Sequence, residues 1–401
     1  MKRSPASGKR ATVTAVTAAR SVTTDPSPDL IDATTRYEAW VDGLIPTVQA
    51  ARSRKHALMA ADPFSFFRGT YYRWAERVTV LAAQPPGPQV LAVGDLHVEN
   101  FGTWRDAEGR TVWGVNDLDE ADRLPAAYDL MRLATSALLA QEHAGARMAG
   151  ADVVAALLNG YGRAVALGGL PIVLDRPDPL PIGPLLPAGH AARWWSRLLA
   201  QPIVPDPDAR AVQLLLAAFP DVGEPLVLRS RLAGMGSREH LRIVATRPVA
   251  GAPAVREVKA LTPPATWWLH PPSAGAVRDA ARTLGVTARR SPDTSLQITD
   301  GWVVRRLAPW ADRIELADLH RRMDAEALLR AMGAETANLH LASAPASELT
   351  SLTSKASARW LASSASRMLA DTVTDWLAWR GRQARGAGSP RGAGASPAGV
   401  A

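Results

Sequence analysis

Strand-like alternation is concentrated in one stretch of this chain, and that concentration limits the fold more than any other feature. Between residues 225 and 312 the segments "LVLRSRLAGMGS", "LRIVATR", "AVREVKAL" and "TSLQITDGWVVRRLA" read as strands and turns, with one helix, "AGAVRDAARTLG", among them. On either side the periodicity is helical. Apolar residues recur at helical intervals from Thr35 to Ala61 (Trp40, Leu44, Ile45, Val48) and stop near Asp62-Pro63. "FSFFRGTYYRWAERVTVLAA", "AAYDLMRLATSALLAQEHA", "ADVVAALLNGYGRAVAL" and residues 315–380 continue the helical pattern. Strands and helices segregated in this way define an α+β chain, a small β-rich lobe beside a larger helical one.

The chain divides accordingly into a basic tail (1–33), a helical lobe (34–168), a proline-rich crossing with short helices (169–224), the β-rich lobe (225–312), C-terminal helices (313–380) and a second tail (381–401). A formal charge of +8 suggests a polyanionic partner until the charges are placed. The tails carry most of that excess, so the body is near neutral and no specific nucleic-acid face is expected. Both tails have the composition of disordered segments. No run is apolar enough for a signal-peptide core or a membrane span, so no membrane partner is expected. The absence of cysteine excludes disulfides and thiolate metal sites and makes a cytoplasmic home the default.

Two short strands interrupt the helical lobe, and each leads into a polar loop. "QVLAV" runs into "GDLHVENFG", and "RTVWGV" runs into "NDLDEADRLP". Asp95 and Asn100 have the spacing of a phosphotransferase catalytic loop, in which the aspartate orients an acceptor hydroxyl and the asparagine holds magnesium. Alone, the pair reads equally well as a helix cap and a turn. Two strand ends lying side by side would bring Asp117 and Asp119 to the same place. Mg²⁺ asks for hard oxygen ligands and keeps several waters, so Asn100, Asp117 and Asp119 with phosphate oxygens suffice. The bland reading of Asp117 is a solvated acidic turn.

The β-rich lobe supplies the complement. Gly234, Gly236 and Ser237 form a turn whose backbone N–H groups and hydroxyl suit phosphates, although a plain hairpin has the same pattern. Lys259 in "REVKA" stands where a kinase places its phosphate-pairing lysine; edge protection is the alternative. Asp279 in the following helix is a candidate carboxylate partner for it, with Glu257 as competitor. The order is catalytic loop, metal loop, glycine turn, lysine, which is a kinase-like arrangement permuted in sequence.

The G-D-x-H-x-x-N loop, the acidic loop and the A-Y-D-L helix resemble those of aminoglycoside-type phosphotransferases, which implies that Asp129 supports the catalytic loop without reacting. A wider set ("DPFSFFRGT", "GDLHVENFG", "VNDLDEA", "YDLMRLATS", "GMGS", "VKA", "WVVRRL", "ANLHLA") resembles the bacterial domain of unknown function 2252 across most of residues 55–345. That resemblance implies a kinase-like two-lobed fold and assigns no activity. Three departures weaken it: Arg238-Glu239 replaces a third glycine, Ala260 replaces an acid after the lysine, and Val93 stands where many phosphotransferases have histidine. Arg68 and Arg305 match family positions of no assigned role; phosphate pairing and a structural salt bridge are both open. His97 is read as structural or substrate-adjacent, and the Trp194-Trp195 and Trp267-Trp268 pairs as packing.

The expectation is an ATP- and Mg²⁺-dependent phosphotransferase with a small-molecule acceptor. Asp95 acts on the acceptor, Asn100, Asp117 and Asp119 hold metal, and Lys259 holds phosphates under the glycine turn. Nucleotidyl transfer is a variant of the same pocket. A non-catalytic nucleotide-binding or scaffold protein is the second reading. A metal-dependent phosphoesterase is the third, because "GDLH" suits such sites, though few histidines are available to complete one.

Overall fold

The computed structural model describes residues 29–141, 147–175, 182–186, 191–219, 224–272, 280–299, 301–311 and 313–388. The first helical run divides in two. Helix α1 (Leu30–Asp42) is capped by Asp29, which accepts from Ile31 N, and α2 (Gln49–Ala61) resumes after the interruption at Gly43 and Pro46. Asp62 accepts from Ser65 N to start α3 (Pro63–Gly69), with proline in the first turn, and α4 (Tyr71–Leu81) follows. Leu30 lies inside the segment read as a tail, so that boundary moves: the helix begins where an aspartate caps an apolar face that packs on the core. Residues 1–28 lie outside the described residues.

Four short strands come next: β1 (Gln89–Ala92), β2 (Phe101–Arg105), β3 (Thr111–Val115) and β4 (Asp122–Pro125). The strands entering the two polar loops, β1 and β3, are not neighbours, contrary to the expectation from sequence. Instead β1 pairs with β4, and β3 pairs with β2, which leaves the first loop. The loops still meet, by way of the β2–β3 hairpin: Phe101 faces Val115, and Asn116 N donates to Asn100 O at 3.0 Å. Helices α5 (Ala126–Ala140) and α6 (Gly150–Ala166) and strand β5 (Ile172–Val173) complete this half.

After α7 (Ala191–Leu199) and α8 (Ala209–Ala217) come β6 (Val227–Ser230), β7 (Arg242–Val249), β8 (Ala252–Ala260), α9 (Ala265–Leu269), α10 (Ala280–Thr287), β9 (Gln297–Thr299) and β10 (Trp302–Leu307). The strands form one antiparallel sheet in the order β6-β7-β8-β10-β9. Alternation splits its residues between two faces. Ile243, Ala245, Val258 and Val304 pack under α8 through Ala211, Leu214 and Leu215. The opposite face carries Arg242, Lys259, Glu257 and Arg305 in register, Arg242 opposite Lys259 and Glu257 opposite Arg305. Farther along that face Val244 and Val255 meet Leu198 and the two tryptophans of α7, which are packing residues here.

The chain returns to the helical half as α11 (Arg322–His340), α12 (Ala346–Leu349) and α13 (Lys355–Gly388). Helices α6 and α11 cross backbone to backbone: a Cβ at Gly160 would overlap the carbonyl of Arg330, and one at Gly333 that of Leu157. Around this crossing lies the main core, with α5 buried along nearly its whole length. Helix α13 runs past the end of the span read as C-terminal helices, to Gly388, and is held by Arg73–Asp375 and Arg77–Asp371 ion pairs to α4. Among the described residues no helix is long and apolar enough to cross a membrane.

Candidate functional site

The first polar loop is fixed from behind by a carboxylate. Gly94 sits at φ +78°, where a Cβ would collide with Glu120 O and lie 2.7 Å from Tyr71 Oη, so the turn requires glycine. Asp129 accepts from Val93 N at 2.7 Å and from Gly94 N at 3.0 Å with its two oxygens. His340 Nε2 stands 3.1 Å from the same carboxylate, and its Nδ1 is 3.0 Å from Tyr161 Oη. His97 Nδ1 accepts from Glu99 N, and its ring meets Phe64 edge-on. Asn100 Nδ2 donates to Asp95 O, which leaves Oδ1, an acceptor, as its remaining polar atom.

Asp95 faces a guanidinium. Arg132, fully buried one helical turn after Asp129, donates from Nε to Asp95 Oδ1 at 2.9 Å and again through Nη2. Phe67, Tyr71 and Trp74 surround that guanidinium with their rings. Burial raises Asp95 to about 6 against the pull of Arg132, with Asp117 adding to the rise. Glu120 is pushed up further, to about 8, by burial first and then by Asp95, Asp119 and Asp117; the N–H of Ala265 works the other way.

Lys259 is on the central strand of its sheet, which rules out edge protection. Its ammonium is ion-paired with Asp119 and lies 3.6 Å from Asp117. Burial works to raise Asp117, but Lys259 and Arg305 hold it below the usual carboxylate range; Asp119 is raised by burial and by Asp117. Glu257 does not contact Lys259. It is bound instead by three guanidiniums: Arg231, Arg242 at 2.8 Å and Arg305 at 2.9 Å. Arg305 therefore has a salt-bridge partner on its own sheet. Asp279 lies outside the described residues.

The glycine turn comes down over Asp95. A Cβ at Gly236 would sit 3.4 Å from Arg68 O and 3.7 Å from Asp95 Oδ2. It is braced from the helical half: Lys55 Nζ donates to Gly236 O at 2.8 Å and to Glu239 Oε1 at 3.0 Å, and Thr47 forms a β-bridge with His240. At the Arg238-Glu239 departure, Glu239 is thus the ion-pair partner of Lys55. Ser237 Oγ accepts from Arg242 Nη2 at 3.3 Å.

Between the halves lies a cleft of about 230 Å³. Asp95, His97, Asn100, Asp117 and Asp119 line it from one side, and Gly234, Gly236, Ser237 and Arg305 from the other, with Arg68 at the junction. Lys259 underlies its floor through the acidic pair, and Asp129 stands behind the first polar loop. No group of three or more His, Cys, Asp or Glu side chains placed to hold a metal by themselves occurs among the described residues. Sequence reading missed Arg132, Lys55, Glu239 and Glu120. For Arg132 the signal was a basic residue within an otherwise apolar helix; Lys55 carries no such signal, because the buried stripe of α2 also holds Arg52.

Residues 47–169 match the model of a family described as an uncharacterized protein conserved in bacteria, DUF2252. The match takes in α2 through α6, hence both polar loops and the Asp129 helix, and supports the family resemblance there; the glycine turn, Lys259 and His340 fall outside it. No curated protein and no solved structure matches the chain.

Proposed function

We propose that this protein is an ATP- and Mg²⁺-dependent phosphotransferase of kinase-like architecture with its lobes permuted in sequence, acting on a small hydroxylated acceptor. One observation carries the reading: the acidic loop of the helical half and the lysine of the sheet meet in an ion pair at the cleft floor, beside Asp95. In that pair the carboxylates and the ammonium satisfy one another. A divalent cation and a polyphosphate can replace them partner for partner, the metal taking Asp117 and Asp119 and the phosphates taking Lys259.

The residues present fit that group. Asp117 keeps 38% of its side chain open to the cleft, and Asn100 offers its amide oxygen, which meets the need of Mg²⁺ for a few protein oxygens plus phosphate. When bound, the nucleotide supplies the transferable phosphoryl group, and Mg²⁺ neutralises its charge.

The chain's own part is positioning. Asp95 Oδ1 is held by Arg132, so Oδ2, directed toward the glycine turn, takes the acceptor hydroxyl's hydrogen bond. Asp129 and Asn100 hold that loop in shape, and Arg132 keeps Asp95 largely ionised near neutral pH despite its burial. Isothermal calorimetry with ATP tests the reading: binding that requires Mg²⁺ and disappears in Asp117→Ala supports it, whereas no binding at millimolar Mg·ATP rejects it.

A further inference from the structure

Behind the first polar loop runs a buried chain of polar side chains that the proposed function leaves without a part. Three residues of α5 hold the loop in sequence order. Asp129 accepts from Val93 N and Gly94 N, Arg132 donates to Asp95, and Ser136 Oγ accepts from Val98 N at 3.1 Å. Spaced three and four residues apart, they form one stripe of the helix, and each is fully buried. The turn that precedes Asp95 therefore hangs on the Asp129 carboxylate.

A buried carboxylate is costly unless its lone pairs are met. Asp129 Oδ2 accepts from Val93 N, and His340 Nε2 stands 3.1 Å from the same oxygen. His340 belongs to "ANLHLA", a segment to which the reading of the sequence gave no chemical role. On the other side of the ring Nδ1 is 3.0 Å from Tyr161 Oη, and the two rings meet near edge-on. With the imidazole neutral the chain has one consistent polarity. Tyr161 O–H donates to Nδ1, which leaves the ring proton on Nε2, directed at Asp129.

The close crossing of α6 and α11 makes this contact. Gly333 and His340 lie seven residues apart on one face of α11, and Tyr161 directly follows Gly160, where the backbones touch. Just past α11, Ser343 Oγ accepts from Leu91 N at 2.7 Å, so the same end of the helix also holds β1, the strand that enters the loop. Asp129, Tyr161 and His340 are fully buried and none lines the cleft, so their influence on the cleft passes through the loop.

We infer that His340, with its tautomer set by Tyr161, is a positioning residue: it orients the Asp129 carboxylate, which fixes the Val93-Gly94 backbone and thereby the direction of Asp95 into the cleft. A group that must hold a reacting partner in line needs its own support locked in this way. The inference rests on the phosphotransferase reading for the role of Asp95, but the placement of the loop is measurable without nucleotide.

The test compares the full chain with His340→Leu, His340→Gln and Tyr161→Phe. Glutamine keeps an N–H donor at the reach of Nε2, whereas leucine keeps only bulk. Amide hydrogen exchange at Val93 and Gly94 is expected to rise by roughly tenfold or more in His340→Leu and to stay near wild type in His340→Gln, with no change along β7 and β8, which report general loosening. Mg²⁺-dependent ADP formation from ATP, with water as acceptor, is expected to fall by roughly tenfold in His340→Leu while Mg·ATP affinity by calorimetry changes by less than about threefold. Tyr161→Phe removes one hydroxyl, shows the same pattern at smaller amplitude, and keeps the test open if His340→Leu does not fold. Exchange that rises alike everywhere, or a glutamine variant no better than leucine, makes His340 a core residue only and overturns the inference. So does faster loop exchange with undiminished ADP formation. A wild type that neither binds Mg·ATP nor forms ADP rejects the phosphotransferase reading instead, and the exchange arm then decides by itself whether His340 fixes the loop.

Discussion

Glu120 shows how much of the site's electrostatics resides in single side chains. It is held protonated at neutral pH by burial and by three neighbouring carboxylates, with a value near 8. Because its folded value lies above its unfolded one, its contribution to stability is present at low pH and is lost as pH rises from about 4.5 through about 8. Glu120→Gln is expected to remove that part of the fall, leaving the variant more stable than wild type at pH 8 by up to roughly 4 kcal/mol, as read from urea unfolding at several pH values. On the proposed function, Asp95 gives a second expected dependence: phosphoryl transfer rises as pH passes about 6 and then levels off, as its carboxylate ionises. Gly94→Ala is expected to cost roughly 2–4 kcal/mol, from the left-handed backbone and the collision with Glu120 O, measured as a lowered urea midpoint. That Asp95, Asn100, Asp117 and Lys259 lie about one cleft was legible in the sequence, because two strand-to-loop junctions and a lysine-bearing strand mark them. Arg132 was not, because its partner lies 37 residues away and only the folded loop brings the two together.

At the scale of elements, alternation and apolar periodicity located β6, β7, β8 and the main helices, but pairing was another matter. The β2–β3 hairpin is not legible in the sequence, because the short strand β2 directly follows a glycine-flanked polar loop, and β3 pairs with β2 and not with β1. The convergence of the two loops survived that error because Asn100 directly precedes β2 and Asn116 directly follows β3. The brace on the glycine turn lay beyond local pattern, since Lys55 and Glu239 are 184 residues apart. Lys55→Met leaves Glu239 buried without its partner and frees Gly236 O. The expected outcome is faster hydrogen exchange at residues 234–240 and Mg·ATP binding weakened by about tenfold, with the unfolding midpoint lowered by a few kcal/mol equivalents. Unchanged exchange over that turn would show that α2 does not brace it.

At the scale of the whole molecule, two stretches far apart in sequence converge on one cleft. Lys259 belongs to the sheet and Asp117 to the hairpin loop of the helical half, yet their charges lie 3.6 Å apart across the cleft floor. Helix α4, which precedes the polar loops, and helices α11 and α13, which follow the sheet, contribute to one core, so the helical half is built from chain on both sides of the sheet. The most direct measurement is a double-mutant cycle on ATP affinity, with Lys259→Met, Asp117→Asn and the pair, each with and without Mg²⁺. Residues serving one ligand are expected to show a coupling energy of about 1–3 kcal/mol in Mg²⁺, smaller in its absence. Additive losses within about 0.5 kcal/mol, or affinity indifferent to both substitutions, would contradict a single site built from both halves.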